Sequence, residues 1–499
     1  MSVQIFLLGR LIGGDEFLLS PDSATPSLES ATRVEAERTL LGRACWLNLL
    51  AEVLPRALLA ELGLSKILLG TSGGDQFLVV LPDEARGQAE EFLSRAAAAI
   101  AAMSSRMVTL IWAITENLGD WTIVRKRLTE EMIRRRGAMG APAGLEYFAP
   151  FEPEPAANAG YFAGDALALR EAPSVGWSPD RPAMILPGAG KHNWTIGPGQ
   201  DSITVARHLA RDDSDSALAS ASVLGGRAEG KPGWGVLRGD VDDFIIRVRR
   251  LQTIEEHIQL SVMYKQFFAG ELEVLCSLKD FWRKVSVIYA GGDDFAVYGA
   301  QDALLPLARE LQRMFHRFNE ENLKDFPGGE GKTLTMAVAL APEMNASLAS
   351  VYDDAGRRLE IAKSSDKDCI HALGRILEWK QLADAAELKD ALLRMVTEHG
   401  ASPEYIRELC GIYRETQTEG RRQSRPERPW RFQRRVNRVL PASRDREVQR
   451  ARTALIADLV GKNPAHMKLR PGGRVALEWA RLAAPRESEA QNDRGTENG

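Results

Sequence analysis

The sequence predicts an α+β fold: two related sheet-and-helix units followed by a helical region. Three observations carry this. Lys66 to Leu81 and Val285 to Tyr298 each run apolar residues into a double glycine and an acid and out into a second apolar run, the pattern of a tight β-hairpin. An amphipathic helix and another strand follow each hairpin. The order strand, helix, hairpin, helix, strand therefore occurs twice, at a period of roughly two hundred residues, which means duplicated domains and not a solenoid. From Leu382 onward only helical periodicity remains.

The first unit spans 1–147. Val3 to Leu8 reads as its opening strand, and Gly13-Gly14-Asp15-Glu16-Phe17 as a turn after it, since nothing upstream supplies an earlier strand with a metal-binding acid. Glu35 to Leu62 carries Leu40, Leu41, Ala44, Leu47, Leu50 and Leu54 near helical spacing. The first hairpin follows, with Ser72-Gly73-Gly74-Asp75 at its tip, then a helix to about Met103 and a strand from Met107 to Ile114. Residues 148–230 are rich in Pro, Gly, Ala and Asp, and read as an irregular connecting domain with a flexible stretch near Arg211 to Ser216.

The second unit spans 231–381. Its opening strand, Gly235 to Phe244, ends in carboxylates. The hairpin Val285 to Tyr298 carries Gly291-Gly292-Asp293-Asp294 at a solvated tip. Leu304, Leu307, Ala308, Leu311, Met314, Phe315 and Phe318 then follow the helical period, and Thr333 to Leu340 is the next strand. Arg357 to Ala362 reads as helix, with Lys363 and Lys367 four apart on its face. A helical domain covers 382–485: Ala383 to Glu398 stops at Gly400, and Ser402-Pro403 supply the cap and first position of the next helix. Arg421 to Arg450 is crowded with arginines around Trp430 and Phe432. Arg431, Arg434 and Arg435 read either as an RNA or partner contact or as part of a solvated charged helix pair. Residues 486–499 read as a disordered tail.

Composition narrows the function. The net charge of −4 asks for no nucleic-acid partner globally. The four cysteines, Cys45, Cys276, Cys369 and Cys410, form no CxxC pair, which argues against a zinc site or a disulfide framework and fits a reducing, cytoplasmic compartment. No signal peptide is recognisable and no apolar run approaches a membrane span. The chemistry sits on the acids. Adjacent Asp293 and Asp294 repel unless a cation such as Mg²⁺ or Mn²⁺ lies between them, and Gly291 and Gly292 admit a phosphorylated ligand closely. A shared sheet would set Asp240 beside them, and three acids from two strand ends suit metal-assisted phosphoryl transfer. The first unit has Gln76 for the second acid and no Asp at the end of its opening strand, so it reads as chemically silent. Its Gly73 and Gly74 still form a backbone suited to close nucleotide approach.

The ordered set Ser72-Gly73-Gly74 before Phe77, Leu237 to Phe244, Tyr289 to Phe295, Ala362-Lys363 and Leu377-Glu378-Trp379, with a helical C-terminal region behind it, resembles the large polymerase-like subunit of type III CRISPR effector complexes. Leu41-Gly42-Arg43 is a further, short point of likeness. The resemblance implies two ferredoxin-like palm domains, the first degenerate, and target-RNA-activated joining of ATP into cyclic oligoadenylates. It implies other effector subunits as partners, with CRISPR RNA and target RNA held through the complex and no membrane. By the family's motif, Asp240, Asp293 and Asp294 hold the metal, the backbone of Val241, Asp242, Asp243 and Phe244 cradles a triphosphate, and Lys363 with Lys367 neutralises it.

Three departures stand out. The family's HD nuclease domain is not visible, because none of the seven histidines adjoins an aspartate, so no cleavage of single-stranded DNA is expected. Residues 148–230 lack the cysteine zinc motif of many members. Asp243 stands where an asparagine is common. Two alternatives are a catalytically silent scaffold subunit and a diguanylate-cyclase-like enzyme. The latter is opposed by Val248 and His257 at the positions that would read guanine.

Overall fold

The computed structural model describes residues 4–20, 30–139, 158–199, 201–213, 217–419, 434–435, 437–439, 444–460 and 471–484. Strand β1 (Gln4–Ile12) leads through helix α1 (Gly14–Leu19) and the long helix α2 (Ser30–Glu61) to the hairpin β2 (Leu69–Gly73) and β3 (Gln76–Pro82). A single 3₁₀ turn, Lys66–Leu68, precedes β2, so the first hairpin starts later than its apolar run suggests. Helix α3 (Arg86–Met103), strand β4 (Thr109–Glu116) and helix α4 (Trp121–Met139) complete the unit. The sheet order is β2-β3-β1-β4, all antiparallel.

The 158–226 segment is more ordered than its composition suggests. It builds a three-stranded sheet of β5 (Ser174–Trp177), β6 (Ile185–Pro187) and β7 (His192–Thr195) in the order β6-β5-β7. Trp177 is buried at its centre. Arg211, placed in a flexible stretch by its composition, bridges to Leu218 across the chain, and Asp212 N–H donates to the Ala217 carbonyl at 2.8 Å. Helix α2 runs against this segment: Gly42 approaches it so closely that a Cβ there would fall 1.8 Å from the Phe162 carbonyl oxygen.

The second unit repeats the first. Strand β8 (Trp234–Val241) leads through helices Phe244–Arg250 and Ile254–Gln266 to the hairpin β9 (Val285–Gly291) and β10 (Asp294–Ala300). Helix Gln301–Asn322, strand β11 (Leu334–Leu340) and helix Leu348–Ser365 follow. Strands β12 (Cys369–Ala372) and β13 (Arg375–Glu378) extend the sheet to β13-β12-β11-β8-β10-β9, with β11 and β12 parallel. The outer strand β9 is not left open: Val287 N–H donates to the His208 carbonyl at 2.9 Å, and the buried Arg170 guanidinium bonds the Val287 and Ile288 carbonyls.

The two sheets share one local device. A Cβ on Gly9 would fall 2.2 Å from the Phe77 ring, and one on Gly239 would fall 2.4 Å from the Phe295 ring. In each unit the phenylalanine that follows the hairpin tip lies over a glycine of the opening strand, its partner in register. Glycine lets the tip settle against the strand end. Behind the second sheet, helices Trp379–Thr397, Glu404–Glu419, Arg446–Val460 and Pro471–Ala483 join its core through Leu382, Leu392, Ile406, Leu455 and Trp479. Among the described residues no helix is long and apolar enough to cross a membrane.

Candidate active site at two facing hairpins

The antiparallel register sets Asp294 directly opposite Asp240 and opposite Gly291 across the hairpin. Asp293 is a turn residue beside Gly292, whose φ of 64° favours glycine. The two tips meet. A Cβ on Gly291 would fall 3.1 Å from Gly74 N, and one on Gly74 would fall 3.4 Å from Gly292 Cα. The acids therefore do not stand on a solvated tip: Asp293 and Asp294 are half-buried, because the first hairpin covers theirs. Between the units lies a cleft of about 520 Å³, lined by Gly73, Gly74, Asp240, Lys265, Asp293 and Asp294 among others. That is a usual size for a small-molecule site.

The registers also show what replaces the acids in the first unit. Gln76 pairs with Arg10 as Asp294 pairs with Asp240. Leu11 N–H donates to the Asp75 carbonyl at 2.7 Å as Val241 N–H donates to that of Asp293 at 2.9 Å. Arg10 thus occupies the position of Asp240, and its Nε donates to Asp75 Oδ2 at 2.7 Å. A fixed cation holds the place that the Asp240 carboxylate holds in the second unit.

Burial raises Asp293 well above the usual carboxylate range, and the carboxylates of Asp294, Asp240 and Asp75 add to it. Asp294 is pushed up to about 7, by burial first and against the hydrogen bond from Tyr289, with Asp240 adding to the rise. Asp240 is raised by burial in spite of Lys363. Carboxylates crowded this way fit a divalent cation, which would relieve their repulsion. They are not a finished cage. Among the described residues no group of three His, Cys, Asp or Glu side chains is gathered for a metal. Lys363 Nζ takes Asp240 Oδ1 at 2.6 Å, and the Tyr289 hydroxyl donates to Asp294 Oδ2 at 2.8 Å. A Mg²⁺ site with one or two carboxylates, completed by water and substrate phosphate, matches this donor set.

The proposed cradle is narrower than its four residues. The Val241 and Asp242 N–H groups are spent on the Asp293 and Thr333 carbonyls. Asp242 is buried, and its carboxylate accepts from Thr333 Oγ1 and Thr335 Oγ1 at 2.7 Å and from Asp368 N–H at 3.0 Å, so it serves the fold. Asp243, left-handed at φ 57°, and Phe244 remain at the start of the next helix. The lysines do not share a helix face: Lys363 lies on the helix that ends at Ser365, whereas Lys367 lies beyond it and pairs with Asp243 Oδ1 at 2.6 Å. Both still point at the acid row.

Several site residues carry no motif of their own. Glu52 of α2, only 1 % exposed in its side chain, accepts from Lys265 Nζ at 2.5 Å and from Arg56 and Ser72 Oγ at 2.8 Å. Burial pushes Glu52 up, but Lys265 and Arg56 outweigh it and hold it below the ordinary carboxylate range. Lys265 also donates to the Ser72 carbonyl at 3.2 Å, so a second-unit lysine fixes the first-unit tip. Asp15 lies in α1 at the cleft, with Gly13 left-handed before it, and so Gly13 to Phe17 is a helix start and not a plain turn. Arg238 and Tyr289 were legible in principle: each lies two residues before a site residue, on the same sheet face. Of the arginine set, Arg434 is exposed and Arg435 half-buried on a short helical segment, whereas Arg431, Trp430, Phe432 and the tail from 486 fall outside the described residues.

The family model of the Cas10/Cmr2 second palm domain matches residues 234–371, which hold the whole acid row. The curated single-strand-specific deoxyribonuclease Cas10/Csm1 of the subtype III-A CRISPR system from Enterococcus italicus is 28% identical over 189 residues, 35% of this chain and 23% of that protein. Its counterpart from Thermococcus onnurineus is 24% identical over 202 residues, 36% and 25% of the two chains. The aligned region thus spans about a quarter of these relatives. Among solved structures, a Csm1-Csm4 cassette in complex with one ATP matches with a TM-score of 0.70 at 16% identity, over 97% of this chain and 70% of that one. The cassette in complex with cA3 gives 0.69 over the same shares at 16% identity. The likeness extends across nearly the whole chain, and the fold is two palm domains with a helical region.

Proposed function

We propose that this chain, which belongs to the large-subunit family of type III CRISPR effector complexes, joins ATP into cyclic oligoadenylates in the cleft between its two palms. The observation that carries this is the pairing of Asp240 with Asp294 in register, on a tip that faces the Gly73-Gly74 tip across one cleft. Asp240 with Asp293 or Asp294 would hold Mg²⁺ or Mn²⁺. Such an ion supplies charge neutralisation at phosphate and lowers the pKa of a bound hydroxyl. Asp243 and Phe244 offer backbone to a triphosphate. Lys363 and Lys367, now on Asp240 and Asp243, are placed to turn onto phosphate oxygens. The first palm presents the second nucleotide: Gly73 and Gly74 allow close approach, and Arg10 on Asp75 leaves that side without a metal set. Joining two nucleotides needs the 3′-hydroxyl of one to lose its proton and attack the α-phosphate of the other as pyrophosphate leaves on the opposite side. Two nucleotides held on facing tips would be brought together for that step.

In this reading the protein acts in the cytoplasm within an effector complex, with other type III subunits, and the CRISPR RNA and target RNA reach it through that complex. One observation favours the second reading, a catalytically silent scaffold: Lys363 and Tyr289 already engage the acids. The test is the purified complex with Mg²⁺, target RNA and either ATP or GTP, its products separated and weighed by mass spectrometry. Cyclic adenylates support condensation. Cyclic diguanylate, made only with GTP, supports a diguanylate cyclase, and no product from either nucleotide supports the scaffold.

A further inference from the structure

The Gly13–Phe17 stretch belongs to neither the acid row nor the glycine tips, yet it places a first-palm carboxylate against the second palm. Gly13, at φ 89°, ends β1 and starts α1, which brings Asp15 to the cleft. Asp15 Oδ1 accepts from the Tyr352 hydroxyl at 2.6 Å, and Oδ2 faces Arg238 Nη2 at 3.4 Å. The Arg238 side chain is 11 % exposed, and its guanidinium lies 4.3 Å from the centre of the Tyr352 ring. The helix behind leaves it little room: a Cβ on Gly356 would fall 2.6 Å from Arg238 Nη1. Nη2 donates to the Tyr289 hydroxyl at 3.1 Å, and that hydroxyl donates to Asp294 Oδ2 at 2.8 Å.

The sheet explains why this chain of contacts ends at the acids. Arg238 and Tyr289 both pair with Ala296. Asp240 and Gly291 both pair with Asp294, one pleat further on. The period of two puts both rows on one face. An arginine this near two carboxylates would ordinarily take one of them as a bidentate partner. Here Asp15 and Tyr352 occupy the guanidinium, and it reaches Asp294 only through the neutral Tyr289 hydroxyl.

We propose that Asp15 is a positioning residue: by holding Arg238 away from the acid row it keeps Asp294 available to a divalent cation, so the first palm sets the cation affinity of the second. This rests on the reading of the acid row as a cation site. The test is titration of the full chain with Mn²⁺, free ion being followed by electron paramagnetic resonance, with and without a non-hydrolysable ATP analogue. Asp15→Ala releases Arg238 onto the acids and should weaken Mn²⁺ binding by about tenfold, the low end of what supporting residues contribute to metal sites. Asp15→Asn keeps an acceptor for Tyr352 but loses the charge facing Arg238. It should show the same direction of change, and it carries the test if the alanine variant does not fold. The decisive variant is Asp15→Ala with Arg238→Met. With the competing cation gone, affinity should return to within about threefold of wild type, whereas a merely structural role predicts a further loss. Unchanged affinity in Asp15→Ala and Asp15→Asn, or a worse double variant, overturns the proposal. A wild-type chain that takes up no Mn²⁺ with or without nucleotide overturns the cation site itself.

Discussion

Replacing Lys265 with methionine should loosen the contact between the two palms while leaving each sheet intact. Lys265 lies on the second palm, and Glu52 and Ser72 on the first. Glu52 Oε2 keeps Arg56 and Ser72 Oγ, but Oε1 loses Lys265, and at 1 % exposure the carboxylate cannot recover that bond from water. Breaking a buried pair by removing one partner costs about 3–5 kcal/mol. With Arg56 still balancing the charge, we expect the lower end, about 3 kcal/mol. Methionine keeps most of the stem packing, so the loss reports the charge. Glu52→Gln should cost less, since Lys265 is 22 % exposed and can hydrate. The double variant should recover about 2 kcal/mol relative to the sum of the singles. The pH dependence has a definite sign. Glu52 is held below its ordinary value, so its contribution is present above the unfolded carboxylate pKa and is lost as pH falls through the folded one. The assay is urea unfolding of all four proteins at neutral pH, with hydrogen exchange read at residues 72–75 and 291–294. A Lys265→Met variant within about 0.5 kcal/mol of wild type, or strict additivity in the cycle, would refute the reasoning.

Three further outcomes are expected. Asp293→Asn with Asp294→Asn should abolish nucleotide condensation in a complex that still assembles, as checked by mass spectrometry and size exclusion; product at the wild-type rate would remove these residues from the site. In metal-free buffer, stability should fall as pH rises from about 4 toward about 7, because the folded value of Asp294 is raised and the advantage present below the unfolded pKa is lost across that window. Asp294→Asn should flatten this slope, and urea midpoints at pH 5 and 8 with chelator test it: an equal slope in both proteins counts against the crowded-acid picture. Arg10→Ala should shift stability by no more than about 1 kcal/mol, since its pair with Asp75 is about half exposed on both sides, and a larger loss in thermal unfolding would give Arg10 a structural role beyond that pair.

Most of this architecture is written in local pattern. The alternation around Gly291-Gly292-Asp293-Asp294 and Ser72-Gly73-Gly74-Asp75 marks the hairpins, and the acid at the end of β8 marks its neighbour in the sheet. Packing between units is not local, and there the sequence is nearly mute. Nothing near Asp293 announces that Gly74, more than two hundred residues away, covers it, and a double glycine followed by acids looks the same on a solvated turn. Glu52 sits in a long helix among apolar neighbours, where its carboxylate carries no motif, and its partner Lys265 lies on another palm. Asp242 shows the opposite failure. It stands in the motif, where the resemblance gives its backbone to a triphosphate, yet its N–H is spent on Thr333 and the chain folds two threonines and a backbone amide around its carboxylate. Lys367 stands at helical spacing from Lys363, but Asp366 ends the helix with an extended backbone, so the two lysines reach Asp240 and Asp243 by different routes.

The exchange of Asp240 for Arg10 at matching positions changes the charge at the contact between the tips. Two unit charges about 4 Å apart interact by about 4 kcal/mol at an effective dielectric of about 20. Asp293 is already raised by burial and then by three carboxylates, one of which, Asp75, comes from the opposite tip. Had the first palm kept a full acid set, two such groups would face each other across a glycine-to-glycine contact, each adding to the repulsion. A cation beneath one tip offsets part of that repulsion without needing a metal: Arg10 Nε lies 2.7 Å from Asp75, in a pair about half exposed on both sides. The other tip is then free to stay short of positive charge, with Lys363 its nearest balance at Asp240. The asymmetry between the copies thus lowers the negative charge at the contact between them. The contact in turn closes one cleft of about 520 Å³ between the two tips.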